Sequence, residues 1–189
     1  MPDRLTKALK ETDKLLNGIT YWLLGGLVLG IIREGDYLKN EHDLDLGIDE
    51  YSLPYLIQVL RKKYGNDVQV SSEAVNNNVV LRPVDNTDIV RVIKFEVEGI
   101  GVDIFVHFTK NEKYYLISKD NDAGYAYHVY PKKLYTNFKK IQFRGGEYLI
   151  PNPPEKYLTY EYGDWETPRS RWNHSLHPPC IKRSVDEIN

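Results

Sequence analysis

Residues 43–48 read Asp43-Leu44-Asp45-Leu46-Gly47-Ile48, acid and apolar side chains in strict turn before a glycine. In a strand successive side chains point to opposite faces, so this stretch buries Leu44, Leu46 and Ile48 and leaves Asp43 and Asp45 together on the wet face. Their α-carbons then stand ~7 Å apart, near enough for both carboxylates to ligate one hard cation or to bracket two.

Working outward, Tyr21-Trp22-Leu23-Leu24 is a short apolar run that meets Gly25-Gly26, which predicts a buried strand, a tight turn and then a helix over Leu27 to Arg33. On the other side, Gly101-Val102-Asp103-Ile104-Phe105 repeats the alternation with one acid. If that segment is a strand beside the first, Asp103 joins Asp43 and Asp45. Three such carboxylates repel one another and force one to keep its proton, so their convergence makes physical sense chiefly around bound divalent cations. Asp43, Asp45 and Asp103 are therefore the candidate catalytic and metal-ligating residues. Gly25 and Gly26, where a backbone N–H can approach a phosphate without a β-carbon in the way, and Arg33, a cation on the following helix, are the candidate phosphate-binding residues.

The rest of the chain supplies an α+β frame. Leu5, Ala8, Leu9, Thr12, Leu15 and Leu16 are spaced as one face of a first helix stopped at Gly18. Ser52 is placed to cap a helix running to about Lys63 with Leu53, Leu56, Ile57 and Leu60 inward. Strands are predicted over 68–71, 79–82, 90–97 and 102–108 as an antiparallel meander, with turns at Asn76-Asn77, Asp85-Asn86 and Gly99-Ile100-Gly101. Shorter strands follow at 114–117 and as a hairpin of 141–143 with 148–150. Pro153-Pro154-Glu155 opens a last helix that Gly163 ends, and the stretch from about Thr167 lacks periodicity. One catalytic domain over 1–168 and a partly irregular tail over 169–189 is the expected organisation, since 189 residues fit one core but not two of ordinary size.

Composition narrows the partners. Twenty-five basic against 27 acidic residues and a pI near 6.2 offer no electrostatic footprint for nucleic acid, which is not expected to bind. The single cysteine, Cys180, cannot close an intramolecular disulfide, which suits a reducing cytoplasm. No apolar run approaches the ~20 residues of a membrane span, and Met1-Pro2-Asp3-Arg4 does not start like a secretory signal, so a cytoplasmic protein is expected. His174, His177 and Cys180 are zinc-ligating residue types, but no fourth ligand stands nearby and Pro178-Pro179 stiffens the segment, so they are not assigned a metal. Strand alternation points His42 away from Asp43, in a packing or positioning role. Tyr157, Tyr162 and Trp165 are expected on a packed helix face, not in the site.

Three blocks taken in order resemble the LicD and fukutin-type phosphotransferases of the nucleotidyltransferase fold: Tyr21 through Gly25-Gly26 to Arg33-Glu34-Gly35, then Glu41-His42-Asp43-Leu44-Asp45-Leu46-Gly47, then Val102-Asp103-Ile104-Phe105. Pro151-Asn152-Pro153-Pro154-Glu155-Lys156-Tyr157-Leu158, followed by Tyr162-Gly163-Asp164-Trp165, is similar to that family's closing motif. The family usually carries tryptophan and three consecutive acids where this chain has Asn40-Glu41-His42-Asp43, a departure beside the two aspartates, which are kept. The resemblance implies a mixed central sheet flanked by helices and Mg2+ or Mn2+ on the three aspartates. It also implies transfer of a phosphorylated alcohol, such as phosphocholine or ribitol phosphate, from a CDP-linked donor to a sugar or glycan hydroxyl. Two other readings stay open: transfer of a nucleoside monophosphate from an NTP to a small-molecule or protein hydroxyl, and a non-catalytic nucleotide- or glycan-binding module.

Overall fold

Leu5, Ala8, Leu9 and Thr12 are buried along one face of helix α1 (Pro2–Leu15), as their spacing requires. The protein is seen as a computed structural model that describes residues 2–71, 79–85, 87–120, 124–168 and 178–182, with residue 120 described by its backbone alone. Strand β1 (Trp22–Leu23) leads directly into helix α2 (Gly25–Leu29), which passes into a π-helical turn (Gly30–Glu34) closed by Gly35 at φ 70°. The helix expected up to Arg33 is thus half α and half π. The reason lies at Gly30, where the returning chain at Asp36 and Leu38 passes so close that a β-carbon would strike its backbone. The wider turn accommodates that crossing.

Strand β2 (Asp43–Asp49) follows, then helix α3 (Leu53–Tyr64). Ser52 does not cap α3 with its hydroxyl. Its own backbone is already helical at φ −76°, ψ −19°, whereas a capping residue needs an extended backbone. Instead Asp49 Oδ1 accepts the Ser52 N–H at 2.8 Å. Next come β3 (Val68–Val70), β4 (Val79–Pro83), β5 (Val90–Val97), β6 (Ile100–Lys110), β7 (Lys113–Asp120) and β8 (Gly124–Pro131). The hairpin β9 (Lys139–Phe143) and β10 (Gly146–Ile150) turns through Arg144 and Gly145, both at positive φ. Helix α4 (Pro154–Tyr162) ends at Gly163, and β11 (Ile181–Lys182) closes the described chain.

Among the described residues the main sheet has nine strands, seven in the order β11-β8-β7-β6-β5-β4-β3, with β2 paired to β6 and β1 to β2. The expected meander holds for β4, β5 and β6, which pair antiparallel. It fails at β3, which lies parallel to β4, and β2 lies parallel to β6 with Asp45 opposite Asp103. The long β6 has β2 along residues 101–107 and β7 along 108–110, so one strand joins two parts of the sheet. The expected turn at Asn76-Asn77 lies outside the described residues, as does Asn86.

Gly47 on β2 faces the indole of Trp22, which stacks on Phe138 with centroids 4.8 Å apart. A β-carbon there would overlap the indole ring. Gly47→Ala is therefore expected to cost about 1–3 kcal/mol, read as a lower urea midpoint at unchanged m-value; an unmoved midpoint would contradict this packing.

Candidate active site

The parallel register of β2 and β6 sets Asp45 directly beside Asp103 and Asp43 beside Gly101, all toward one face. Leu44, Leu46, Val102 and Ile104 on the other face are fully buried and anchor both strands. A cavity of about 490 Å³ opens over the acids, lined by Asp43, Asp45 and Asp103 together with Arg82, Arg91, Lys94 and Lys119. The three acids expected from the alternation do share one cavity.

The glycine turn serves these acids in a way its sequence did not suggest. Gly25 sits at φ +53°, and a β-carbon on it would lie 3.0 Å from Asp45 Oδ2; a β-carbon on Gly26 would overlap the Glu41 carboxylate. The Gly25 N–H donates to the Tyr157 hydroxyl at 2.8 Å, so it is committed to protein and not turned toward a phosphate. The two glycines make room for carboxylates, and buried Tyr157 on α4 pins the turn.

Charge is crowded here. Burial, then Asp43, Asp103 and Glu41, push the Asp45 carboxyl well above the usual range, while Lys94 pulls the other way. Burial, then Asp43, pushes Glu41 up to about 7, and its Oε2 is a buried oxygen with no hydrogen-bond partner among the described residues. Asp103 is held by Lys94, its neighbour across β5 and β6. The ammonium of Lys94 thus stands where a cation is needed. Among the described residues, the acid-rich group whose ligand atoms all lie within 4.8 Å of one another is Glu41, His42 and Asp43, not the three aspartates. An orphaned buried carboxylate oxygen, proton-retaining acids and an all-oxygen aspartate set fit a hard divalent cation.

Glu41 yields a pH prediction. Between its ordinary value of 4.5 and about 7, the folded chain holds a proton that the unfolded chain has released. The stability of the metal-free protein therefore falls as pH rises through that window. Glu41→Gln is expected to flatten this slope in thermal melts at pH 4.5, 6 and 7.5; an equally steep slope in the variant would place the titration elsewhere.

His42 precedes β2, so strand alternation does not govern it; it is exposed and gathers with Glu41 and Asp43, not opposite them. Arg33 is not brought to the aspartates. Its Nε donates to Glu34 Oε1 at 2.7 Å and its Nη1 to the Trp165 carbonyl at 2.9 Å. It lines a neighbouring pocket with Trp165 and Tyr162, and Tyr162 also borders the main cavity. The cations that do face the cavity, Arg82, Arg91, Lys94 and Lys119, were missed in the sequence. Simple alternation on β5 sets Arg91 and Lys94 on opposite faces; the register shift against β4, where Arg82 pairs with Val92 and Pro83 with Val90, interrupts it at Arg91, and the sequence did not show that shift. His174 and His177 lie outside the described residues, while Cys180 is buried against His128 and Glu161.

The LicD/FKTN/FKRP family, nucleotidyltransferase domain, matches residues 18–153. Uncharacterized protein RP689 of Rickettsia prowazekii is 29% identical over 181 residues, 94% of this chain and 61% of that protein. Ribitol 5-phosphate transferase FKRP of Homo sapiens is 25% identical over 169 residues, 86% of this chain and 32% of that protein. The chain thus spans between about a third and three fifths of the length of these relatives. Among solved structures, a Thermotoga maritima protein assigned as a nucleotidyltransferase superposes with a TM-score of 0.49 at 13% identity, covering 85% of this chain and 84% of that one. The family match takes in the glycine turn and all three aspartates of the cavity, and with it the chain belongs to the LicD/FKTN/FKRP family of nucleotidyltransferase domains.

Proposed function

We propose that the chain is a Mg2+- or Mn2+-dependent transferase that moves a phosphorylated alcohol, of the phosphocholine or ribitol-phosphate kind, from a CDP-linked donor to a sugar or glycan hydroxyl. The observation that carries the reading is Asp43, Asp45 and Asp103 on adjacent parallel strands, facing a cavity that Arg82, Arg91, Lys94 and Lys119 also line. Family membership and the ribitol 5-phosphate transferase name of the human relative support a phosphorylated alcohol as the group transferred.

Magnesium or manganese held by the three aspartates would supply charge neutralisation on phosphate oxygens and a lowered pKa for a bound hydroxyl. The chain's own groups do the rest. Arg91 and its cationic neighbours receive the diphosphate of the donor, orienting the phosphorus for in-line attack. The acceptor oxygen forms the new P–O bond as the bond to CMP breaks, CMP leaves with the electron pair, and Asp103 accepts the proton of the attacking hydroxyl. The apolar backs of β2 and β6 keep the acids fixed through this exchange.

The test is product analysis. With Mn2+, CDP-ribitol or CDP-choline and a panel of glycan acceptors, CMP is expected only when an acceptor is present. Silence across the panel contradicts the reading, and pyrophosphate from an NTP would assign nucleoside monophosphate transfer instead. No helix among the described residues is long and apolar enough to cross a membrane.

A further inference from the structure

At the border of the aspartate cavity, three side chains remote in sequence meet: His128 from β8, Glu161 from α4 and Cys180 just before β11, all buried. His128 Nδ1 lies 3.4 Å from Glu161 Oε2, Cys180 Sγ lies 4.0 Å from His128 Nδ1, and Cys180 Sγ lies 3.8 Å from Glu161 Oε2. We propose that His128, Glu161 and Cys180 form a zinc site, separate from the aspartate centre, that staples the C-terminal strand to β8 and α4.

Geometry supports zinc specifically. A triangle with those sides contains a point about 2.2 Å from all three atoms, which is the range of Zn–N, Zn–O and Zn–S bonds. An imidazole and a thiolate, borderline and soft donors, beside a single carboxylate make a set that suits zinc and not magnesium. His128 Nε2 lies 3.0 Å from Ser118 Oγ; with Nε2–H donating to that hydroxyl, Nδ1 carries the lone pair turned toward Glu161 and Cys180. Tyr130 donates its hydroxyl to the same Glu161 oxygen, fixing the carboxylate. His128, Tyr130 and Glu161 also border the catalytic cavity, which gives a fourth ligand such as water a way in.

The elements joined are those that hold the catalytic turn. Cys180 N–H donates to Tyr160 O at 3.0 Å and Val129 N–H to Cys180 O at 3.1 Å, so the cysteine is already clasped between α4 and β8. One helical turn before Glu161, Tyr157 receives the Gly25 N–H beside Asp45. A zinc ion here fixes α4 and through it the glycine turn.

Because Cys180 is the only cysteine of the chain, a thiolate signal has a single source. The full chain, purified without chelator, is expected to retain one equivalent of zinc by elemental analysis. Replaced by Co2+, the site should show tetrahedral ligand-field absorption with a thiolate-to-cobalt charge-transfer band. Stripping the metal should lower the Tm by roughly 5–10 °C. Cys180→Ala should lose the band and the zinc, whereas Asp45→Asn should keep both. Absence of stoichiometric zinc, or a cobalt spectrum without a thiolate band in the unmodified chain, overturns the proposal whether or not the variants fold.

Discussion

Asp45→Asn is expected to reduce turnover by roughly 10³-fold, the loss that follows when several kcal/mol of transition-state charge stabilisation disappear. The same change should not unfold the chain. Asn has nearly the shape of Asp, fits under Gly25 as Asp45 does, and removes a carboxyl that burial and three acidic neighbours already push toward its protonated form. Metal-free Asp45→Asn should accordingly melt at or above the temperature of the unmodified protein at pH 7.5. Lost activity with a raised or equal Tm marks Asp45 as a functional acid tolerated at a cost in stability. Lost activity with a lowered Tm would mean that Asp45 is structural.

Arg91→Met is the second large effect and runs in opposite directions in two assays. Arg91 is only 9% exposed, its Nε has no hydrogen-bond partner among the described residues, and burial followed by Arg82 lowers its guanidinium pKa, with Tyr125, Asp85 and Asp103 opposing. A charge kept in such a place without full pairing costs stability. Methionine of similar reach should therefore raise the midpoint of unfolding in the absence of donor. Loss of one charge-assisted bond to phosphate, worth about 1.5–3 kcal/mol, should raise KM for the CDP-linked donor roughly 10- to 100-fold with a smaller effect on kcat. If KM is unchanged, Arg91 does not meet the donor.

What could be read without coordinates follows from contrast between strand faces. On β2 and the first half of β6 the two faces differ sharply, acid against Leu, Val and Ile, so both strands and the outward direction of Asp43, Asp45 and Asp103 were legible. Strand direction was not, because alternation is the same read either way; hence the parallel pairing of β3 with β4 was expected as antiparallel. Strand β8 was overlooked because its inward residues are Ala126, His128 and Tyr130 and its outward ones Tyr125, Tyr127 and Val129. Neither face is plainly more apolar, and the period of two carries no signal. The glycine turn was legible, but the close approach of the Asp45 and Glu41 carboxylates to Gly25 and Gly26 was not, since those contacts exist only in three dimensions. The place of Arg33 was hidden for a related reason: the Trp165 carbonyl holds it in a pocket beside the one with the aspartates. Likewise His174 and His177 drew attention to Cys180 by proximity in sequence, while its packed neighbours come from residues 128 and 161.

Crystals grown with Mn2+ and a CDP-linked donor, and measured for manganese anomalous scattering, address the aspartate centre most directly. Manganese is expected within bonding distance of carboxylate oxygens of Asp43, Asp45 and Asp103, with donor phosphates on the Arg91 side and Lys94 released from Asp103. Manganese bound away from these three residues, with the Lys94–Asp103 pair intact under saturating donor, would contradict this expectation.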